Sequence, residues 1–473
     1  MHLVLEQSPT PIYQRLIAAI ARALVGAGHR ISLLDPTAFI AGSVAGSVAG
    51  CFAGTLAESL DGPLTPVGLG RVAQVVLHRP LFWDRLDSLE ADALIIVSPI
   101  SLLAGFDLVR GTFLYEQAPT PLVFLHFEDC FSTHPSQERI EAALGSYIAT
   151  GHRSHHFCLE PRNGQELGRL NLATSPLYAI GEGSYEPPAG AALRREVCFI
   201  GHVHPGFDWG DHAPDPASQL RAEIRRRLQQ FDHPLEPGSL AYAERCCGPG
   251  SSVLQRLAAK AYYRSLAHGH SLGFRGEVLR RLGDRPIDLY GPEAERLCAQ
   301  WPAPAPALGS RRGHPATASL AASAAIYRSS LISLNITALQ FDQAVSNRVL
   351  DVAAAGGFPL TDWKGELGAL TGVAEAISYR SLEELQHKMD YYGHLDHRAE
   401  RLEIATTLQR EVRERGDYGA LAQAIGAALV GLGAPKAPKL EDQERREGPE
   451  SHCSRPSPRK ERPNTSTNIA KPG

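Results

Sequence analysis

Asn347, Arg348 and Asp351 stand within one helical turn in the stretch NRVLD. Arg348 offers a fixed, planar cation and Asn347 a neutral donor, two types suited to a diphosphate. Asp351 lies one turn beyond Asn347 and points to the same side, where a carboxylate can accept hydrogen bonds from sugar hydroxyls. Spacing alone fits a solvated surface pair as well, because an Arg and an Asp three residues apart on a helix are usually that. A second group is His126, Glu128 and Asp129. Such a cluster suits acceptor binding or proton removal from a hydroxyl nucleophile, and equally an ordinary helix cap.

The elements that must carry these residues follow from local pattern. Leu331 to Thr337 alternates like a strand, Ser346 caps a helix running to about Ala355, and Gly356-Gly357 ends it before a strand at Phe358 to Thr361. Strand, helix, strand in about thirty residues is one βαβ unit, whose loop and helix N-terminus favour an anion. His2 to Glu6, a helix over Pro11 to Gly28 and Ile31 to Leu34 open the chain in the same way. Ala93 to Val97 and Pro121 to His126 are apolar runs that read as buried parallel strands. The second runs out into Glu128 and Asp129, which places them at the mouth of a cleft. His156 to Leu159 and Leu177 to Ile180 read as the last strands of this half. Gly181 to Gly190 reads as a linker. The second half opens with a strand over Arg194 to Gly201. Further strands are expected at Ile287 to Gly291 and Ile377 to Tyr379, with a Pro/Gly-rich loop over Ala303 to Pro315. The basic helix over Gln219 to Gln230 reads as a solvated face. The small-residue repeat within Ala41 to Gly54 reads as a closely packed or mobile segment, since no Lys-Ser/Thr follows to make a phosphate loop.

The pattern NRVLDVAAAGGFPLTD resembles the donor-site signature of GT-B glycosyltransferases, and is most similar to the CgeB-like (spore maturation protein type) branch of the group-1 enzymes. The resemblance spans Val197 to Tyr418. It implies an α/β fold of GT-B type: two Rossmann-like domains facing across a cleft. From Ala434 onward the chain is Pro-, Lys-, Glu- and Ser-rich, which reads as a disordered C-terminal tail. It implies a metal-independent glycosyltransferase that moves a sugar from a nucleotide-activated donor. Asp351 stands where the family's later Glu binds the ribose. Gln343 stands where the earlier Glu contacts the donor sugar, a departure from the pattern. Gly201 and His202, after the opening strand of the second half, are implied to face the donor phosphates or the cleft, and Tyr290 and Gly291 to lie near the nucleotide base. Asn347 and Arg348 complete the donor set, with His126, Glu128 and Asp129 as the acceptor-side catalytic candidates.

Composition agrees with this class. A chain of 473 residues with 43% hydrophobic and 21% charged residues is globular and long enough for two domains plus extras. The expected division is a first domain over 1–185, a donor domain over 191–433 and a tail over 434–473. A net charge of -4 gives no electrostatic case for nucleic acid. The eight cysteines include no Cys-x-x-Cys pair, and read as reduced thiols in a cytoplasmic protein. His202 and His204 lack an evident third ligand, so no metal is expected. No signal peptide and no integral membrane segment are expected; Pro36 to Ala57 lacks charge but consists largely of small residues. No cofactor is expected, the nucleotide-sugar being a co-substrate. The acceptor, whether glycan, protein or small molecule, stays open. So do two other activities on the same scaffold: a non-catalytic nucleotide- or glycan-binding protein, and a sugar-nucleotide epimerase.

Overall fold

The computed structural model describes residues 1–7, 11–35, 79–97, 106–107, 112–130, 136–177, 195–204, 216–283, 285–300, 312–317, 319–415 and 418–433. Compactness divides the chain into Met1–Ala437 and Pro438–Gly473, the second of which lies outside the described residues. The small-residue repeat, the linker at 181–190 and the tail also lie outside them.

Two six-stranded parallel sheets form the frame. The strands of the first half are β1 (His2–Glu6), β2 (Arg30–Leu34), β3 (Ala93–Ile96), the short antiparallel pair β4 (Phe106–Asp107) and β5 (Thr112–Phe113), β6 (Leu122–His126), β7 (Ser154–Cys158) and β8 (Ala173–Pro176). Those of the second are β9 (Arg195–Ile200), β10 (Ile287–Tyr290), β11 (Arg312–His314), β12 (Ser330–Asn335), β13 (Pro359–Asp362) and β14 (Ser378–Tyr379). The first sheet runs β2-β1-β3-β6-β7-β8 and the second β11-β10-β9-β12-β13-β14. Both are doubly wound, Rossmann-like orders in an α/β architecture.

The central strands are buried on both faces, and most of their residues are apolar. Every residue of HLVLE, ALII and LVFLH is buried, and so is every residue of β12. Helices cover both sides of such a sheet. The helix Val253–Gly269 starts at a full capping box between Ser252 and Gln255. It buries Leu257, Ala258 and Ala261 in the core behind the first sheet, and Ala259, Tyr263 and Ala267 in the larger core to which both sheets contribute. One helix therefore joins the two halves. The final helix, Tyr418–Gly431, packs on the first, Pro11–Gly26.

Three expectations change. The strand expected at Leu177 to Ile180 is β8, set earlier and pairing His155 with Ala173. The loop expected over Ala303 to Pro315 contains β11, held parallel to β10 at Asp288↔Arg312. The basic helix, observed at Pro216–Gln229, is not solvated all round. Arg227 is 2% exposed and its guanidinium pairs with Asp342.

Candidate active site

In a doubly wound sheet the ligand crevice opens beyond the strand carboxyl ends, where the strand order reverses. In the second sheet that point lies between β9 and β12. Gly201 follows β9 there, and Asn335 ends β12. The helix Asn347–Ala354 begins beside them. Ser346 caps it, its hydroxyl accepting from the Arg348 amide at 3.4 Å. Arg348 then extends into the crevice. Its guanidinium donates to Asn335 Oδ1 at 3.3 Å and lies 5.7 Å from the centre of the Phe199 ring. A Cβ on Gly201 would stand 3.1 Å from Arg348 and 3.2 Å from Phe199, so glycine leaves this side of the crevice open.

A second cation converges on the same place. Arg275, half-buried on the helix Ser271–Arg281, donates from Nε to the Ile336 carbonyl at 3.0 Å. Burial and the Arg348 charge push its pKa down to about 10, against a partial pull upward from Asp362 and Glu128. The two guanidiniums bond to adjoining residues, Ile336 and Asn335, and their mutual repulsion is one that a polyanion would relieve. Gly276 fixes the approach, since a Cβ there would lie 2.0 Å from the His204 carbonyl oxygen. Arg275 is not among the site residues expected from the sequence. Its neighbour Gly276 is the only local sign that the helix presses on the β9 loop.

The remaining donor-side residues divide. Asn347 Oδ1 is buried without a hydrogen-bond partner, an acceptor left for a ligand to fill. Asp351 is half-buried and bears on the Tyr327 hydroxyl. That hydroxyl's pKa is raised by burial, lowered by Arg348 and raised by Asp351. His202 is exposed on the β9 loop. Gly291 backs onto Gly201, where a Cβ would meet the Gly201 carbonyl oxygen at 2.4 Å. Tyr290 is 7% exposed, stacked on His314 at 4.4 Å, with its hydroxyl accepting from Arg195 Nε at 2.7 Å. Its ring is thus engaged inside the sheet. Gln343 has an exposed side chain, while its backbone N–H donates to Glu160 Oε2 at 3.3 Å.

Across the crevice, the structure separates the three acceptor-side candidates. Glu128 is half-buried, accepts from Gln340 Nε2 at 2.6 Å and exerts its charge on Arg275. It also bonds the Tyr13 hydroxyl, whose pKa rises through burial and the Glu128 charge. Asp129, 1% exposed, is held by Arg162 at 3.4 Å and Arg264 at 3.2 Å. His126 is turned into a buried layer of rings with Phe124 and His156. Glu128 is the member of the three that faces the cation pair.

A clamp that the sequence did not disclose holds the two sides together. Glu160 Oε2 accepts from the backbone N–H groups of Asp342, Gln343 and Ala344 at 3.2, 3.3 and 3.2 Å. Arg162 reaches Asp342 at 2.6 Å and the Gln340 carbonyl at 3.1 Å. Burial opposes the Asp342 charge, but Arg227 and Arg162 outweigh it and bring its pKa to about 2. The loop leading into the Arg348 helix is thereby fastened to the first half. Replacing Arg162 with methionine should cost about 3 kcal/mol, toward the low end for a broken buried pair, because Asp129 and Asp342 each keep another guanidinium. Urea unfolding checks this, and an unchanged midpoint would remove the clamp from the account.

Glu366 stands beside this clamp, and burial plus the Glu160 charge push its pKa up to about 7. The folded state therefore holds a proton on Glu366 that the unfolded chain, near 4.5, has released. Stability from this group is complete below pH 4.5 and is lost as pH rises to about 7. Glu366→Gln should flatten that part of the stability profile, measured as melting temperature against pH. A profile identical to wild type would show that Glu366 does not titrate there.

Residues 274–427 match the family model described as glycosyl transferase-like. The second half carries a glycosyl transferase-like domain. That stretch contains Arg275, β10 and the whole Ser330–Asp362 βαβ unit, and it supports sugar transfer from a nucleotide donor. No curated protein matches the chain. Among solved structures, it is similar to the β-glucosyltransferase of T4 phage in complex with UDP-glucose, at 11% identity and a TM-score of 0.46, covering 91% of this chain and 99% of that one. It is also similar to HepE (Alr3699) of Anabaena in complex with UDP and glucose, at 10% identity and a TM-score of 0.47, with the same coverage. The spinosyn rhamnosyltransferase SpnG is similar at 13% identity and a TM-score of 0.35, over 90% of this chain and 100% of that one. Likeness at this level does not extend to substrate or partner. No helix among the described residues is long and apolar enough to cross a membrane.

Proposed function

We propose that this chain is a glycosyltransferase of GT-B type. The observation that carries the reading is that Arg275 and Arg348 reach the adjoining residues Ile336 and Asn335 at the strand-order switch of the second sheet. A nucleoside diphosphate-sugar binds with its diphosphate between the two guanidiniums and against Gly201. Asp351 takes the ribose hydroxyls, and Asn347 Oδ1 accepts from a donor hydroxyl. As the glycosidic bond breaks, negative charge grows on the departing diphosphate. Arg275 and Arg348, fixed beforehand, stabilise it. Glu128 stands across the crevice and takes the proton from the acceptor hydroxyl as that oxygen attacks the anomeric carbon. The CgeB-like branch is our placement within the wider family, supported by NRVLDVAAAGGFPLTD. The protein works without metal in this step, in the cytoplasm, on an acceptor other than nucleic acid.

The test is time-dependent release of free nucleoside diphosphate from a panel of nucleotide-sugars, with and without candidate glycan acceptors. Release is expected with one donor type. Binding without release would favour a non-catalytic receptor, and conversion of one nucleotide-sugar to another without release would favour an epimerase.

A further inference from the structure

Behind the first sheet lies a cluster that the proposed reaction does not use. Parallel pairing of β6 with β7 sets His126 directly beside Cys158. Cys130 folds back from the loop after β6. One donor atom from each of His126, Cys130 and Cys158 lies within 4.8 Å of the other two. The site is dry. His126 is 8% exposed, Cys130 1% and Cys158 2%. Phe124 stacks on both His126 and His156, and Tyr147 meets the His156 ring edge-on.

We infer that His126, Cys130 and Cys158 bind a thiophilic divalent cation, of which zinc is the chemical type. The donor set carries the assignment: one imidazole and two thiols converge from two strands and a loop. Two thiolates neutralise a dication, so the filled site carries no net charge into an apolar layer. Three protein ligands leave the fourth tetrahedral position for water or a small ligand.

His156 supplies independent support. It is fully buried, and its Nδ1 stands 3.1 Å from His126 Nε2. Its Nε2 has no hydrogen-bond partner. The His156 ring held against one nitrogen of His126 leaves the other nitrogen to a cation, and a partner on the second ring nitrogen is how a metal-ligating histidine is usually oriented. Cation binding removes the thiol protons, so occupancy rises with pH.

Placement gives the cation a task. His126 and Cys130 bracket Phe127, Glu128 and Asp129. A bond from each to one ion pins the loop that presents Glu128 toward Arg275. The cation is a positioning device and does not touch the reacting groups. The site does not depend on the proposed transfer.

The experiment uses the full chain, expressed with added zinc and freed of any histidine tag. Elemental analysis should find about one zinc per chain, the stoichiometry of a single tetrahedral site. Exchange with cobalt(II) should give a thiolate-to-cobalt charge-transfer band and tetrahedral d–d bands. Cys158→Ala should lose both metal and band, and His156→Gln should keep the site with affinity weaker by about 10–100-fold. If Cys158→Ala does not fold, zinc protection of the Cys130 and Cys158 thiols from alkylation, mapped by peptide mass, decides on wild type. Absence of zinc and of the cobalt–thiolate band overturns the inference. So does an intact mass showing a Cys130–Cys158 disulfide.

Discussion

Arg348→Ala should lower the rate of nucleoside diphosphate release by roughly 10²–10³-fold while leaving the fold intact, the loss expected when one fixed donor to a developing oxyanion is removed. The two halves of this outcome have separate causes. The Arg348 guanidinium lies beside Arg275, and the two repel. Removing one cation relieves the other, so the free protein loses nothing electrostatically. What it loses is the 3.3 Å bond to Asn335 Oδ1 and the contact with the Phe199 ring. Asn335 keeps its bonds to Thr337 and Thr361 through Nδ2, so the net change in stability stays within about 1 kcal/mol. A residue that carries activity but little stability belongs to a binding site. Arg275→Ala should lower release to a similar degree, and the double variant should fall by less than the product, because the two act on one diphosphate. A variant that unfolds, or one that turns over normally, would return Arg348 to the scaffold.

Glu128→Gln should lower turnover by about 10²–10⁴-fold with little change in donor KM, the range for a positioned general base. The amide is nearly isosteric, and its oxygen still accepts from Gln340 Nε2, which now stands 2.6 Å from Glu128. Lost donor binding is therefore not the expected explanation for the effect. Rates of donor hydrolysis and of transfer, measured side by side, give the check. Unimpaired transfer would make Glu128 only a bridge to Gln340 and Tyr13. Asp129→Asn is the contrasting variant: with Arg162 and Arg264 against it, Asp129 should affect stability first.

How much of this was readable depended on distance along the chain. The buried strands were visible because parallel strands read as unbroken apolar runs, as ALII and LVFLH do. The Ser346 cap and the Asn347–Arg348 pair were visible because a helix start is written within a few residues. Strand β11 was not. RGH has no apolar residue and reads as loop. It fits at the sheet edge because Gly313 has no Cβ to strike Ala294, whose carbonyl oxygen would be 2.5 Å away. Arg275 was not identified as a site residue because its meaning lies in meeting Arg348, and the two come from different helices. Glu160 reads as an acid at a helix start. Its three bonds to the loop at 342–344 connect residues 182 to 184 positions apart, which no local pattern encodes. His126, Glu128 and Asp129 were grouped because they adjoin in sequence. The turn after β6 sends them to three environments: a ring layer, the crevice and an ion-pair network.

The most direct test of the donor site is a thermal-shift panel of UDP, GDP, ADP and dTDP on wild type and on Arg348→Ala. At ~100 times its dissociation constant, a ligand adds about 2.7 kcal/mol to the folded state, which is readily seen as a rise in melting temperature. One diphosphate should raise the melting temperature of wild type and leave the variant unmoved. No shift with any of the four, or an equal shift in the variant, would contradict a diphosphate site between Arg275 and Arg348.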